Sequence, residues 1–242
     1  IRDCLLSRGL GDVYKRQANA LVAFEILEDD QPIPVGWQLS SGHLVFDIKM
    51  DFTRKARWVK DGHKTPTPIE SNYAGVVSRE SVRIALTYAA LNGIDVMAAD
   101  IKNAYLQAPS SEKHYVICGA EFGLDNVGKR ALIRRALYGG KSSGADFWKH
   151  LRTCMQHLGF ESCKADPDIW MRPAQKDDGS HYWEYVLLYV DDALCISCDA
   201  ENVLKNQIGR YFVIKDGSVG PPTIYLGNKV SKVTLENGVE AW

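Results

Sequence analysis

Two aspartates, Asp191 and Asp192, interrupt an otherwise apolar run, "EYVLLYVDDALCIS", at residues 184–197. Carboxylates set between hydrophobic strands need a cation or a set of donors, because an unpaired carboxylate at the edge of a core is costly. The flanking segments "YVLLYV" and "ALCIS" read as two strands with almost nothing between them. A two-residue turn made by Asp191 and Asp192 themselves is therefore expected at the hairpin tip. An ordinary hairpin with a solvent-facing Asp-Asp turn is the simpler alternative. A third aspartate, Asp100, ends a short apolar strand in "DVMAADIKNAYL", 91 positions (191 − 100) before Asp191. Taken alone, Asp100 also reads as the N-cap of the next segment. If the two strands are neighbours in one sheet, Asp100 and Asp191 converge on one site. Oxygen ligands of this kind suit Mg2+, which keeps waters and takes one or two carboxylates plus substrate phosphates. Two such ions about 3.5–4 Å apart clamp an in-line phosphoryl displacement.

The elements that must position these carboxylates alternate along the chain. "GHLVFDIKM" and "ARWVKDG" read as strands, and "TPTPIES" as a breaker-rich loop. "SRESVRIALTYAALNG" reads as a helix with Ser78 as N-cap, an apolar stripe of Val82, Leu86 and Ala89, and a stop at Asn92-Gly93. "IDVMAAD" is a short strand, and "KRALIRRALYGG" a strand running into a glycine turn. "GADFWKHLRTCMQHLGF" is the clearest helix, with Phe147, Leu151, Cys154, Met155 and Leu158 at helical spacing. Asp166 and Asp168 in "KADPDIW" belong to a turn before the next strand. "AENVLKNQIGRYF" reads as an amphipathic helix and "TIYLGNKVSKV" as a strand pair. The opening "IRDCLLSRGLGDVYKRQ", residues 1–17, shares no period with the rest of the chain and reads as a non-native leader. The mixture indicates an α+β chain with an antiparallel sheet packed on helices.

Composition sets wider bounds. The chain has 242 residues, 45% hydrophobic and 24% charged, enough for one large or two small domains with a sizeable core. A net charge of −1 gives no global basic field, though a local basic groove remains compatible with it. No run is long enough to span a membrane. The six cysteines read as reduced thiols. Cys195 and Cys198 form a lone CxxC inside a strand, which reads as buried thiols rather than a zinc site.

"YVDD" after an apolar strand, "DIKNAYLQA", "ALYGGKSSGADFW", "LGFESCKADPDIW" and "YLG" are the motifs that stand out. Together they resemble the reverse transcriptases of copia-type LTR retrotransposons over roughly residues 35–235. The resemblance implies a right-hand polymerase, with fingers at 18–70 and 108–142 and an antiparallel palm sheet at 71–107 and 143–242. It implies that thumb and ribonuclease H lie outside this fragment of a polyprotein. Asp100, Asp191 and Asp192 match the catalytic carboxylates. Asp100, Asp191 and the backbone carbonyl of Ile101 match the ligands of two Mg2+ ions, for which Mn2+ can substitute. Arg57 and Lys49 would hold the triphosphate of the incoming dNTP, since a guanidinium forks onto phosphate oxygens. Lys55 and Lys60 read as solvated or near template phosphates. Tyr105 matches the bulky residue below the incoming sugar, and also reads as a core aromatic. Tyr138 and Gly139 would approach the nucleotide, and Lys141 a phosphate of the template. Gly140 and Gly144 stand where the family commonly has Leu and Pro. Tyr189, Val190, Tyr225, Leu226 and Gly227 match template- and primer-binding positions. The implied partners are a primed RNA or DNA template, dNTPs, and the thumb, ribonuclease H and integrase of the parent polyprotein, with no membrane. The implied location is the cytoplasmic virus-like particle of the element. Other readings of the same residues are an RNA-dependent RNA polymerase, an inert nucleic-acid-binding remnant, and a metal-dependent phosphoesterase.

Overall fold

The computed structural model describes residues 23–242 except 49, 51, 237 and 239. In chain order the strands are β1 (Phe24–Ile26), β2 (Gln38–Leu39), β3 (Gly42–Ile48), β4 (Arg54–Lys60), β5 (Val96–Asp100), β6 (His114–Ile117), β7 (Arg130–Ile133), β8 (Glu161–Ser162), β9 (Ile169–Gln175), β10 (His181–Tyr189), β11 (Asp192–Ile196), β12 (Ile224–Tyr225) and β13 (Asn228–Lys229), then the short pair β14 (Val233–Thr234) and β15 (Glu240–Ala241). The two principal helices are Arg79–Asn92 and Ser143–His157. Helices and sheets are mixed, in keeping with an α+β chain. Among the described residues no helix is long and apolar enough to cross a membrane. The chain divides into two compact units, Ile1–Ala74 with Asn103–His150, and Gly75–Lys102 with Leu151–Trp242. The proposed leader, residues 1–17, lies outside the described residues.

The first unit contains a four-stranded sheet in the order β1-β7-β6-β2 and the antiparallel hairpin β3-β4. β4 shows why the hairpin holds: its residues alternate, with Ala56, Trp58 and Lys60 buried and the residues between them more exposed. Trp58 meets Phe24 edge-on at 5.3 Å, and Phe24 meets Phe122 at 4.9 Å. Val116, Ala131, Ile133 and Leu137 complete this core. Burying side chains of this size contributes about 1.5–3 kcal/mol each.

The second unit is built on a five-stranded antiparallel sheet in the order β5-β11-β10-β9-β8. Leu187, Leu194 and Ile196 are fully buried and pack with Val82, Ala85 and Ala89 of the helix Arg79–Asn92. That helix begins and ends where the sequence indicates. The Ser78 hydroxyl accepts the Ser81 N–H at 3.2 Å, and Gly93 takes a left-handed φ of 58°. Asp166 accepts both the Ser78 N–H and the Ser81 hydroxyl, so it anchors the helix start.

The segment 200–210 differs from the expected helix. A three-residue α turn is followed by a π turn at Val203–Gln207 and a 3-10 turn at Ile208–Arg210. Val203, Leu204 and Ile208 are all buried. The wider π turn brings residues five apart into line, so Val203 and Ile208 share the core face.

Candidate active site

β5 and β11 are adjacent and antiparallel, with Asp192 directly opposite Asp100 and Ala193 opposite Ala99. The backbone N–H and C=O of Asp100 both turn away from β11, to the Ser218 hydroxyl at 3.1 Å and the Lys215 N–H at 2.9 Å. Asp100 and Asp192 therefore form a non-hydrogen-bonded pair, the kind whose side chains lie closest. The Ile101 N–H donates to the Asp191 carbonyl at 2.7 Å, which fixes the third aspartate beside the pair. The apolar strand ends thus bring Asp100, Asp191 and Asp192 to one place.

Two details correct the sequence reading. The hairpin turn is made by Val190 and Asp191, not by the two aspartates, because Tyr189 pairs with Asp192 and so leaves only these two between the strands. Val190 takes a positive φ of 53°, an unusual conformation for a β-branched residue. The residue facing Asp100 across the sheet is Asp192, with Asp191 one position further, in the turn. Pairing of Asp192 into the sheet moves the turn one residue toward the N-terminus.

The electrostatics of the cluster call for a cation. Burial, then the carboxylates of Asp191 and Asp100, push Asp192 up to about 6, and Lys215 partly offsets them. The Lys215 ammonium meets Asp100 Oδ2 at 2.6 Å, and this bond raises its own pKa. The segment carrying Lys215 is fixed by a bridge between Ile101 and Ile214 and by a bond from the Lys102 N–H to the Val213 carbonyl. Lys215 thus supplies positive charge to the carboxylates. It lies 115 positions from its partner, which is why pattern reading along the sequence misses it. Among the described residues no group of three or more His, Cys, Asp or Glu is placed so that it could hold a metal ion. The oxygen-only donors, their mutual repulsion and the lysine on Asp100 fit a divalent cation held by one or two carboxylates and completed by water and phosphate.

A second constellation lies within the first unit. The Arg57 guanidinium lies over the Tyr138 ring at 5.0 Å, and Arg57 Nε is buried with no hydrogen-bond partner among the described residues. Tyr138 meets the Tyr105 ring at 5.0 Å, and Tyr105 meets Phe147 at 6.1 Å. Gly139 has φ +82°, and a Cβ there would meet the Lys60 carbonyl at 2.1 Å. Only glycine permits the loop 137–141 to lie this close to the end of β4. A guanidinium beside an aromatic face is suited to a phosphate group.

The model of the reverse transcriptase (RNA-dependent DNA polymerase) family matches residues 20–239. The chain belongs to this family. It is 25% identical over 218 residues to the retrovirus-related Pol polyprotein from transposon TNT 1-94 of Nicotiana tabacum, covering 85% of this chain and 15% of that protein. It is 27% identical over 168 residues to the Pol polyprotein from transposon RE1 of Arabidopsis thaliana, covering 67% of the chain and 11% of that protein. It is 24% identical over 212 residues to the transposon Ty1-DR5 Gag-Pol polyprotein of Saccharomyces cerevisiae, covering 81% and 12%. These relatives are polyproteins of copia-type transposons, as the motifs indicate, and the chain spans at most 15% of the length of these three.

Other residues singled out in the sequence of this reverse transcriptase domain have varied placements. Lys49 lies outside the described residues. The Lys141 ammonium donates to the Thr65 carbonyl at 2.6 Å, so this lysine braces the loop 65–74. Tyr189 and Val190 are partly exposed at the hairpin tip. The Tyr225 ring is buried in the core of the second unit, and Leu226 and Gly227 make the turn between β12 and β13, both at positive φ. Lys60 is not solvated: it is buried and paired with Glu112. The described cysteines are all free.

Proposed function

We propose that this chain carries the nucleotidyl-transfer site of an RNA-directed DNA polymerase, with the first unit as fingers and the second as palm. The observation that carries the reading is the pairing of Asp100 with Asp192 beside Asp191 at adjacent strand ends. Asp100, Asp191 and the Ile101 carbonyl would hold two Mg2+ ions, with Asp192 tuning the charge of the site. When bound, the ions lower the pKa of the primer 3′-hydroxyl and neutralise the triphosphate and the leaving pyrophosphate.

The chain's own residues supply binding and selection. Arg57, held by the face of Tyr138, would direct its guanidinium to the triphosphate. Tyr105, wedged between Tyr138 and Phe147, is too firmly packed to yield to a ribose 2′-hydroxyl, and so favours deoxynucleotides. The primed template would be held mainly through its backbone, so affinity should fall steeply with salt. Thumb, ribonuclease H and integrase are the partners expected from the rest of a Pol polyprotein.

The test is single-nucleotide extension of a primer on an RNA template with Mg2+ or Mn2+. Extension with dNTPs that is lost in Asp191→Asn supports the reading, and full activity of Asp191→Asn refutes it. Ribonucleotide incorporation by Tyr105→Ala and not by the natural chain separates this activity from that of an RNA polymerase.

A further inference from the structure

Nucleotidyl transfer at the aspartate cluster makes no use of the buried charges at the end of β4. β4 turns Ala56, Trp58 and Lys60 inward, so a lysine occupies a position suited to an apolar side chain. Lys60 is only 4% exposed. Its ammonium pairs with Glu112 and lies 2.8 Å from Nδ1 of His114. Asp146 and Lys141 are the other charged groups that bear on it, the first favouring its charge and the second opposing it. An ion pair in such a place is weak support for stability, since apolar residues of similar volume often serve as well.

Its geometry points to another role. Glu112 has a second oxygen, Oε1, which accepts the Ser142 N–H at 2.7 Å. The Lys60 N–H itself donates to the Tyr138 carbonyl at 2.7 Å. The loop 138–142 is therefore tied to the last residue of β4 at both ends, once through backbone and once through the Lys60–Glu112 pair. Three residues earlier on the same strand stands Arg57, whose guanidinium lies over Tyr138. Gly62 and Gly139 let the two backbones meet, since a Cβ on Gly62 would lie 2.0 Å from the Gly139 carbonyl oxygen.

We propose that Lys60 and Glu112 are positioning residues that hold the loop 138–142 in register with Arg57 and thereby set the affinity for the nucleotide triphosphate. This inference rests on the assignment of Arg57 and Tyr138 to nucleotide binding. The Glu112 carboxylate orients the loop through the Ser142 amide, and Lys60 orients the carboxylate.

The test compares Glu112→Gln, Lys60→Met and the apolar pair Lys60→Met with Glu112→Leu, all in the full chain. Melting temperature, amide exchange at 138–143, and kcat and KM for a dNTP are measured. Each single variant should melt lower and show a KM raised about tenfold, the size expected for one hydrogen bond to a charged group. The apolar pair should recover most of the melting temperature. It should keep the raised KM and the faster exchange at 138–143, with kcat changed less than about threefold. A KM and an exchange rate that return to natural values along with the melting temperature would overturn the proposal and leave the pair a purely structural one. If the natural chain incorporates no nucleotide, it is the polymerase reading that fails. The exchange at 138–143 in the apolar pair then decides the positioning claim: faster exchange upholds it and unchanged exchange refutes it.

Discussion

Replacing Asp192 with Asn should stabilise the metal-free protein, and only at neutral to alkaline pH. Asp192 is raised from 3.8 to about 6 by burial and by the carboxylates of Asp191 and Asp100. A raised carboxylate pKa means the folded state prefers the proton. The stability contributed by that proton is fully present below pH 3.8 and is lost as pH rises through about 6. At roughly 1.4 kcal/mol per pH unit the rise corresponds to about 3 kcal/mol at pH 7.5. Partial exposure of the group discounts this to about 1–2 kcal/mol. Asn keeps the shape and removes the charge. Urea unfolding in a chelating buffer should therefore show Asp192→Asn more stable than the natural chain by about 1–2 kcal/mol at pH 7.5 and nearly equal at pH 4. Equal stability at both pH values, or a gain at pH 4 as large as that at pH 7.5, would refute the charge argument.

Other parts of the structure set further expected outcomes. Gly139→Ala places a Cβ at φ +82° and 2.1 Å from the Lys60 carbonyl, so it should destabilise by about 1–3 kcal/mol in thermal unfolding. Glu184→Ala should destabilise by about 1–3 kcal/mol in thermal unfolding, because the Arg172 guanidinium loses its carboxylate partner at 2.6 Å while keeping the Leu158 carbonyl and Gln207 Oε1. Lys215→Gln removes the ammonium that competes for Asp100, so Mn2+ should bind about two- to fivefold tighter, read by titration with electron paramagnetic resonance.

Much of the site is legible along the chain because its signals are local. Apolar runs ending in aspartate mark β5 and the β10–β11 hairpin, and the Ser78 and Gly93 caps bound the helix that packs on them. The tetrapeptide at the hairpin tip does not say which residue takes the positive φ. That choice is made by pairing between β11 and β5, which draws Asp192 into the sheet and leaves the turn to Val190 and Asp191. Lys60 reads as a surface charge because its partner Glu112 is 52 positions away, and Lys215 is hidden in the same way. The regular helix expected over 200–212 fails for a different reason. Its apolar residues include two that are five apart, and a π turn satisfies both where an ideal helix cannot.

Asp100 should bind a divalent cation together with the aspartates at the tip of the β10–β11 hairpin. Titration of the chain with Mn2+, monitored by electron paramagnetic resonance, tests it most directly. Saturable binding by the natural chain that is lost in Asp100→Ala, with the melting curve still cooperative, is the predicted result. Binding of equal strength in the two proteins would contradict it.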